Sequence, residues 1–247
     1  MDIGTNYSLW EYKFPSFFAR NIVEILHHQK TRCTMKQTID RPFLKQLGLR
    51  DLLLIILWVS IIYITWTFMH GADHFLTLTP EALGKYFPYK WFIIAHITAG
   101  GGALILGPLQ FWESFRRNNW KLHRIVGYLY FLAMLVSAIC AVVLAATTAY
   151  AINWAYAFSL QVWVSVWITA SFIAFRMALL RKFKSHKEWA IRSYIVTLAF
   201  VVSGLALKLP VVQQLGDFAD ISPSFFWMGW AVPLFIYEVI RSFKQKA

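Results

Sequence analysis

Ile125–Ala149 reads IVGYLYFLAMLVSAICAVVLAATTA, a run with no charged residue and no proline. A buried strand needs only four to eight apolar residues, so a run of this length has to be a helix. As a helix it rises about 37 Å, enough to cross the roughly 30 Å hydrocarbon core of a bilayer. Tyr150–Asn153 alone separates it from a second apolar run, Trp154–Phe175, and so short a link makes the two an antiparallel pair. Outward from this hairpin, Leu52–Met69, Trp91–Trp112, Ile191–Leu209 and Phe225–Ile240 pass the same length test. The expected fold is an all-α integral membrane protein, a bundle of six spans over residues 50–247. Pro80, Pro88, Pro210 and Pro223 are expected in or beside the connections, where a missing N–H costs little.

Composition points the same way. Of 247 residues, 58 % are hydrophobic, 18 % aromatic and only 15 % charged, with a mean hydropathy of +0.51. A water-soluble domain carries about 25 % charge, so this chain lacks the polar residues to cover itself. The net charge of +12 calls for no nucleic acid, because basic residues gathered at one membrane face produce the same excess. Under the six-span reading, 21 of the 24 Lys and Arg fall on one side: eight before the first span, then Arg116, Arg117, Lys121 and Arg124, then six from Arg176 to Arg192, and three after the last span. Lys85, Lys90 and Lys208 are left for the other side. The positive-inside rule then places both termini in the cytoplasm. Residues 1–49 form a basic tail with no short apolar core or small-residue cleavage site, so a secretory signal is not expected. The tail is read as a membrane-surface or solvated segment. Cys33 and Cys140 are too few for a disulfide framework or a zinc ribbon, and no C-x-x-C-H motif attaches a c-type haem.

The histidines carry what chemistry there is. His123 and His186 stand at the starts of the third and fifth spans, which run in the same direction, so their side chains can share one depth. His96 lies inside the opposite end of the second span, and His70 and His74 at that end of the first. His27 and His28 belong to the tail. Small residues follow the span histidines at helical spacing: Gly100, Ala103 and Gly107 after His96, Gly127 after His123, and Ala190 and Ser193 after His186. A flat porphyrin held by an axial imidazole requires such a bare face, and close helix packing in lipid requires it equally. Arg116, Arg117, Lys121, Arg124, Lys187 and Arg192 flank the basic-side pair, and haem propionates need cationic partners of this kind. Two neutral imidazoles on one iron make it six-coordinate and suited to electron transfer. Haem b, one rather than two, is the expected cofactor, with His123 and His186 as ligands, His96 and His70 as weaker ones, and Arg124 and Arg192 beside the propionates. Zinc is disfavoured, because no set of Cys, Asp or Glu gathers with the histidines in the sequence to complete four ligands. No nicotinamide or flavin fingerprint occurs, so electrons would come from a quinol or a redox partner protein. Two other classes remain open: a haem-free accessory or assembly subunit that docks other helices, and a small-solute transporter, which the near absence of intramembrane carboxylates disfavours. Glu238, near the end of the last span, has Arg241 three residues on, and the spacing predicts a helical pair that can be merely structural.

The stretch His96-x-x-x-Gly100-x-x-Ala103-Leu104-x-Leu106-Gly107-Pro108-x-Gln110-Phe111 resembles the signature of a bacterial multi-pass family described only as a predicted membrane protein of unknown function. His123-Arg124-x-x-Gly127-x-x-Tyr130 and His186-x-x-Trp189-x-x-Arg192-Ser193-Tyr194 resemble it in the same order. The likeness covers roughly Trp91 to Glu238 and implies a helical membrane bundle without a reaction. More distantly, the arrangement is similar to the cytochrome b-561 and ferric-reductase type of transmembrane cytochromes, whose histidines on four consecutive helices hold a haem in each leaflet. That likeness implies His123 and His186 as the inner pair and His96 as one outer ligand. The chain departs from it in Trp154–Phe175, which has no histidine, so an outer haem would have to use His70 or His74.

Overall fold

A computed structural model describes residues 49–246 of the chain, and the basic tail before them lies outside the described residues. Six long helices succeed one another: α1 Leu49–His70, α2 Lys90–Phe111, α3 Trp120–Leu144, α4 Trp154–Leu179, α5 Phe183–Ala206 and α6 Phe218–Lys246. Short helical turns fill the connections, and the described residues contain no strand. Five stretches, Pro80–Phe111, Trp120–Ala149, Trp154–Leu179, Phe183–Ala206 and Phe218–Lys244, are long and apolar enough to cross a membrane.

The helices run past the apolar runs that announce them. The link expected between residues 175 and 191 shrinks to the turn Leu180–Lys182, closed by Arg181 in the left-handed region at φ 58°. Hydropathy falls where the hydrocarbon ends, but a helix ends only where its hydrogen bonding is capped or broken. Lys and Arg keep their stems on apolar surface while their heads reach water, so they extend a spanning helix without ending it. α3 therefore begins at Trp120 and α5 at Phe183, and each histidine of the basic-end pair occupies the fourth position of its helix. Likewise α6 starts at Phe218 and carries Pro223, expected in a connection, within its first turns. α3 widens at its far end into a π turn, Ala145–Ala149. Asn153 then caps α4, its Oδ1 accepting from the Tyr156 N–H at 2.7 Å while its Nδ2 donates to Ala219 O at 2.7 Å.

Polarity is inverted relative to a water-soluble bundle. Ser137, Ser171, Ser193, Ser203 and Ser222 are fully buried, whereas Trp66 is 71 % and Phe235 69 % exposed. With lipid outside, apolar burial no longer drives the helices together, and small residues with internal hydrogen bonds do. Met134, Trp163, Val196, Ala199 and Phe226 form the centre shared by α3 to α6. Trp163 and Trp167 are buried and donate their N–H groups to Val196 O at 3.2 Å and Thr197 Oγ1 at 2.8 Å.

α1 lies along α2 and α5. Its Trp58 ring sits 6.1 Å from Phe111 and 6.2 Å from Tyr194, while Phe68, ten residues on, meets Phe200 at 5.4 Å. Contacts thus advance along α5 as they advance along α1, so those two helices are parallel. Met69 lies against Gly101, ten residues before Phe111, so α1 and α2 are antiparallel.

Candidate functional site

α3 and α5 both run antiparallel to α4, because Phe131 stacks on Phe175 at 4.3 Å and Ser171 Oγ meets Ser193 Oγ at 2.7 Å. The two are therefore parallel to each other and begin at the same end of the bundle. His186 and Arg116 lie within electrostatic reach of the His123 imidazole. The structure thus places the two basic-end histidines at the same end of the bundle, each on the fourth residue of its helix.

Their hydrogen bonding differs. His186 Nδ1 lies 2.8 Å from Ala174 O. A carbonyl only accepts, so Nδ1 carries the proton and Nε2 keeps the lone pair, the orientation typical of a metal-ligating histidine. His123 Nδ1 is buried without a hydrogen-bond partner. A buried polar atom left so costs about 1–3 kcal/mol, which a water or a bound group would recover. Its backbone carbonyl accepts from Gln110 Nε2 at 3.5 Å, and the same Gln110 side chain lies 3.2 Å from where a Cβ on Gly127 would stand.

His96 stands at the other level. Its Nδ1 donates to Ser137 O at 3.0 Å, and Ser137 Oγ donates back to His96 O at 3.1 Å. Ser137 is fourteen residues beyond His123 on α3, placing His96 about 21 Å deeper than the basic-end pair. The bare face that follows His96 is filled by the chain's own side chains. Ser137 Oγ lies 3.1 Å from a Cβ built on Gly100, and the Tyr194 ring would overlap one on Gly107, at 2.0 Å. On that face the packing reading is the one the geometry meets. His70 is largely exposed and pairs with Asp73 at 2.5 Å, and the side chain of His74 lies outside the described residues. Among the described residues no three or more His, Cys, Asp or Glu gather into a metal-binding group.

The arginines divide. Arg124 lies over the Trp120 ring, 5.7 Å from its centroid. Arg192, expected beside a propionate, is instead committed to Glu238: its Nε and Nη2 both lie 2.6 Å from Oε1, and Nη1 is buried without a partner. The expected Arg241–Glu238 pair within α6 is the long contact, 3.5 Å, while Arg241 reaches across to Glu188 on α5 at 2.6 Å. Sequence reasoning missed this four-charge network, because Glu188 was placed in a connection rather than on α5. Its only signal was Glu188 and Arg192 at helical i, i+4 spacing.

No curated protein and no solved structure matches the chain. Residues 93–240, more than half of the chain, match the model of the family described as "Predicted membrane protein (DUF2306)". The match begins at α2 and takes in all three histidine motifs quoted above, and it bears out the first resemblance; no similarity to the cytochrome b-561 type is shown. Apolar outward faces, a hydrogen-bonded small-residue interior and this match agree, and the chain belongs to the DUF2306 family of multi-pass integral membrane proteins.

Proposed function

We propose that this protein is a six-span haem-b electron carrier of a bacterial cytoplasmic membrane, with both termini inside and His123 and His186 as axial ligands at the basic end. The single observation that carries the reading is the state of the two imidazoles. His186 is held by Ala174 O with Nε2 free to ligate, and His123, within electrostatic reach, has a buried nitrogen without a partner. Two imidazoles are too few for a metal site built from side chains, and a porphyrin would bring the further nitrogen donors they lack. When bound, haem supplies one-electron exchange at its iron. The chain's own residues orient the imidazoles, and Arg116, within electrostatic reach of His123, and Arg124, its neighbour in the chain, would offer positive charge to the propionates. Arg192, held by Glu238, is less free to do so.

The six-span topology draws support from α1, whose contacts keep step with α2 and α5 over ten residues, and from the 21-to-3 division of basic residues. One haem is favoured over two, because the face after His96 is occupied within the chain. A quinol or a redox partner protein is the expected electron source.

The test is the optical spectrum of the full chain purified in mild detergent. A Soret band and a sharp reduced α-band, with about one haem per chain by pyridine haemochrome, are expected. Colourless protein from haem-replete cells would overturn the reading.

A further inference from the structure

We infer that Tyr130, acting through Ser193 and Thr197, is the positioning residue that holds His123 level with His186, an inference that rests on the bis-histidine reading above. Tyr130 lies seven residues beyond His123, and Ser193 seven beyond His186, so both are two helical turns deeper on the faces that carry the histidines. The Tyr130 hydroxyl is 3.0 Å from Ser193 Oγ and 3.0 Å from Thr197 Oγ1. The separation between Tyr130 and Ser193, 63 residues, is also that between His123 and His186. A bridge that sets one pair level therefore sets the other.

Hydrogen-bond directions follow from the chemistry of the donors. Trp167 Nε1 only donates, and gives its proton to Thr197 Oγ1 at 2.8 Å. Thr197 Oγ1 donates to Ser193 O at 2.9 Å. Tyr130 must then donate to Thr197 and accept from Ser193 Oγ, which accepts from Ser171 Oγ at 2.7 Å. Every hydroxyl proton is assigned, and the chain ends at a backbone carbonyl. The cluster is thus a rigid clamp of three helices, and as a proton path it would stop at that carbonyl. α3 and α5 make few close backbone approaches to each other, whereas each packs along α4. The long Tyr130 side chain spans the gap between them and fixes their axial register.

The experiment places spin labels beside the histidines, at Leu122→Cys and Lys187→Cys, both exposed, in a full-length chain with Cys33→Ser and Cys140→Ala. Pulsed dipolar spectroscopy in proteoliposomes under reductant reads the inter-label distance. Tyr130→Phe and the isosteric Thr197→Val should broaden the distribution or shift its mean by about 3 Å, the rise of two residues, and Thr197→Ser should restore the parent trace. In the haem-loaded protein the first two variants should add a high-spin ferric fraction that Thr197→Ser lacks. An unchanged distance in both Tyr130→Phe and Thr197→Val would overturn the inference, as would equal broadening in Thr197→Ser and Thr197→Val. If Tyr130→Phe fails to accumulate, the Thr197 pair decides alone. If the parent protein carries no haem, the bis-histidine reading fails, and the label distances still decide whether the clamp exists.

Discussion

The guanidinium of Arg192 on α5 holds one carboxylate oxygen of Glu238 on α6 through two nitrogens, Nε and Nη2, each at 2.6 Å. Arg192 is 11 % exposed, stacks between the Trp189 and Tyr237 rings, and lies two turns inside the end of its helix. A charge placed so in an apolar surround needs its partner.

Glu238→Gln is therefore expected to destabilise the protein by about 1–3 kcal/mol, below the full penalty of a buried pair because Glu238 is half-exposed. Arg192→Met alone should cost a similar amount, and the double variant less than the sum. A coupling energy near zero in a denaturation cycle in detergent would show the pair to be independent charges.

Removing an axial ligand should remove the pigment. His186→Ala is expected to lower haem content per chain to roughly a tenth or less, because a one-ligand site loses both a bond and the level partner. His96→Ala should leave the basic-end haem in place. Equal haem in His186→Ala and the parent would exclude His186 as a ligand.

Gly107→Ala tests the packing on the second histidine motif. The added Cβ would stand 2.0 Å from the ring of Tyr194, whose hydroxyl donates to Leu104 O at 3.1 Å and which lies against Phe111 and Trp58. Displacing that ring should cost about 1–3 kcal/mol, or about 2–4 °C of Tm per kcal/mol for a chain of this size. A Tm equal to the parent's would mean that the ring has room to move.

Orientation is open to direct labelling. A cysteine at Leu215, which is 68 % exposed, should react with a membrane-impermeant maleimide in intact cells, and one at Lys182 only after permeabilisation. The opposite pattern would reverse the topology.

Several parts of the molecule were legible residue by residue. The uncharged run Ile125–Ala149 announced a spanning helix because lipid leaves no other way to satisfy that many backbone N–H and C=O groups. The offsets after His96 announced a narrow helix face, but whether a pigment or a neighbour fills it depends on which helix lies opposite, and Tyr194 comes from 87 residues away in the chain. Helix ends were misplaced for a related reason. Hydropathy marks the edge of the hydrocarbon, whereas Asn153 and the turn at Arg181 mark the ends of helical hydrogen bonding.

By itself, then, the sequence determined the solvent, the helical class and the family, since each depends on local composition or on residues close together in the chain. Only the tertiary structure decided that Arg192 faces Glu238, that Ala174 orients His186, and that Tyr130 ties α3 to α5. Those contacts depend on the rotation and axial shift of whole helices against one another. In a bilayer these are set by small-residue packing and buried hydrogen bonds between distant segments, not by any pattern within one segment.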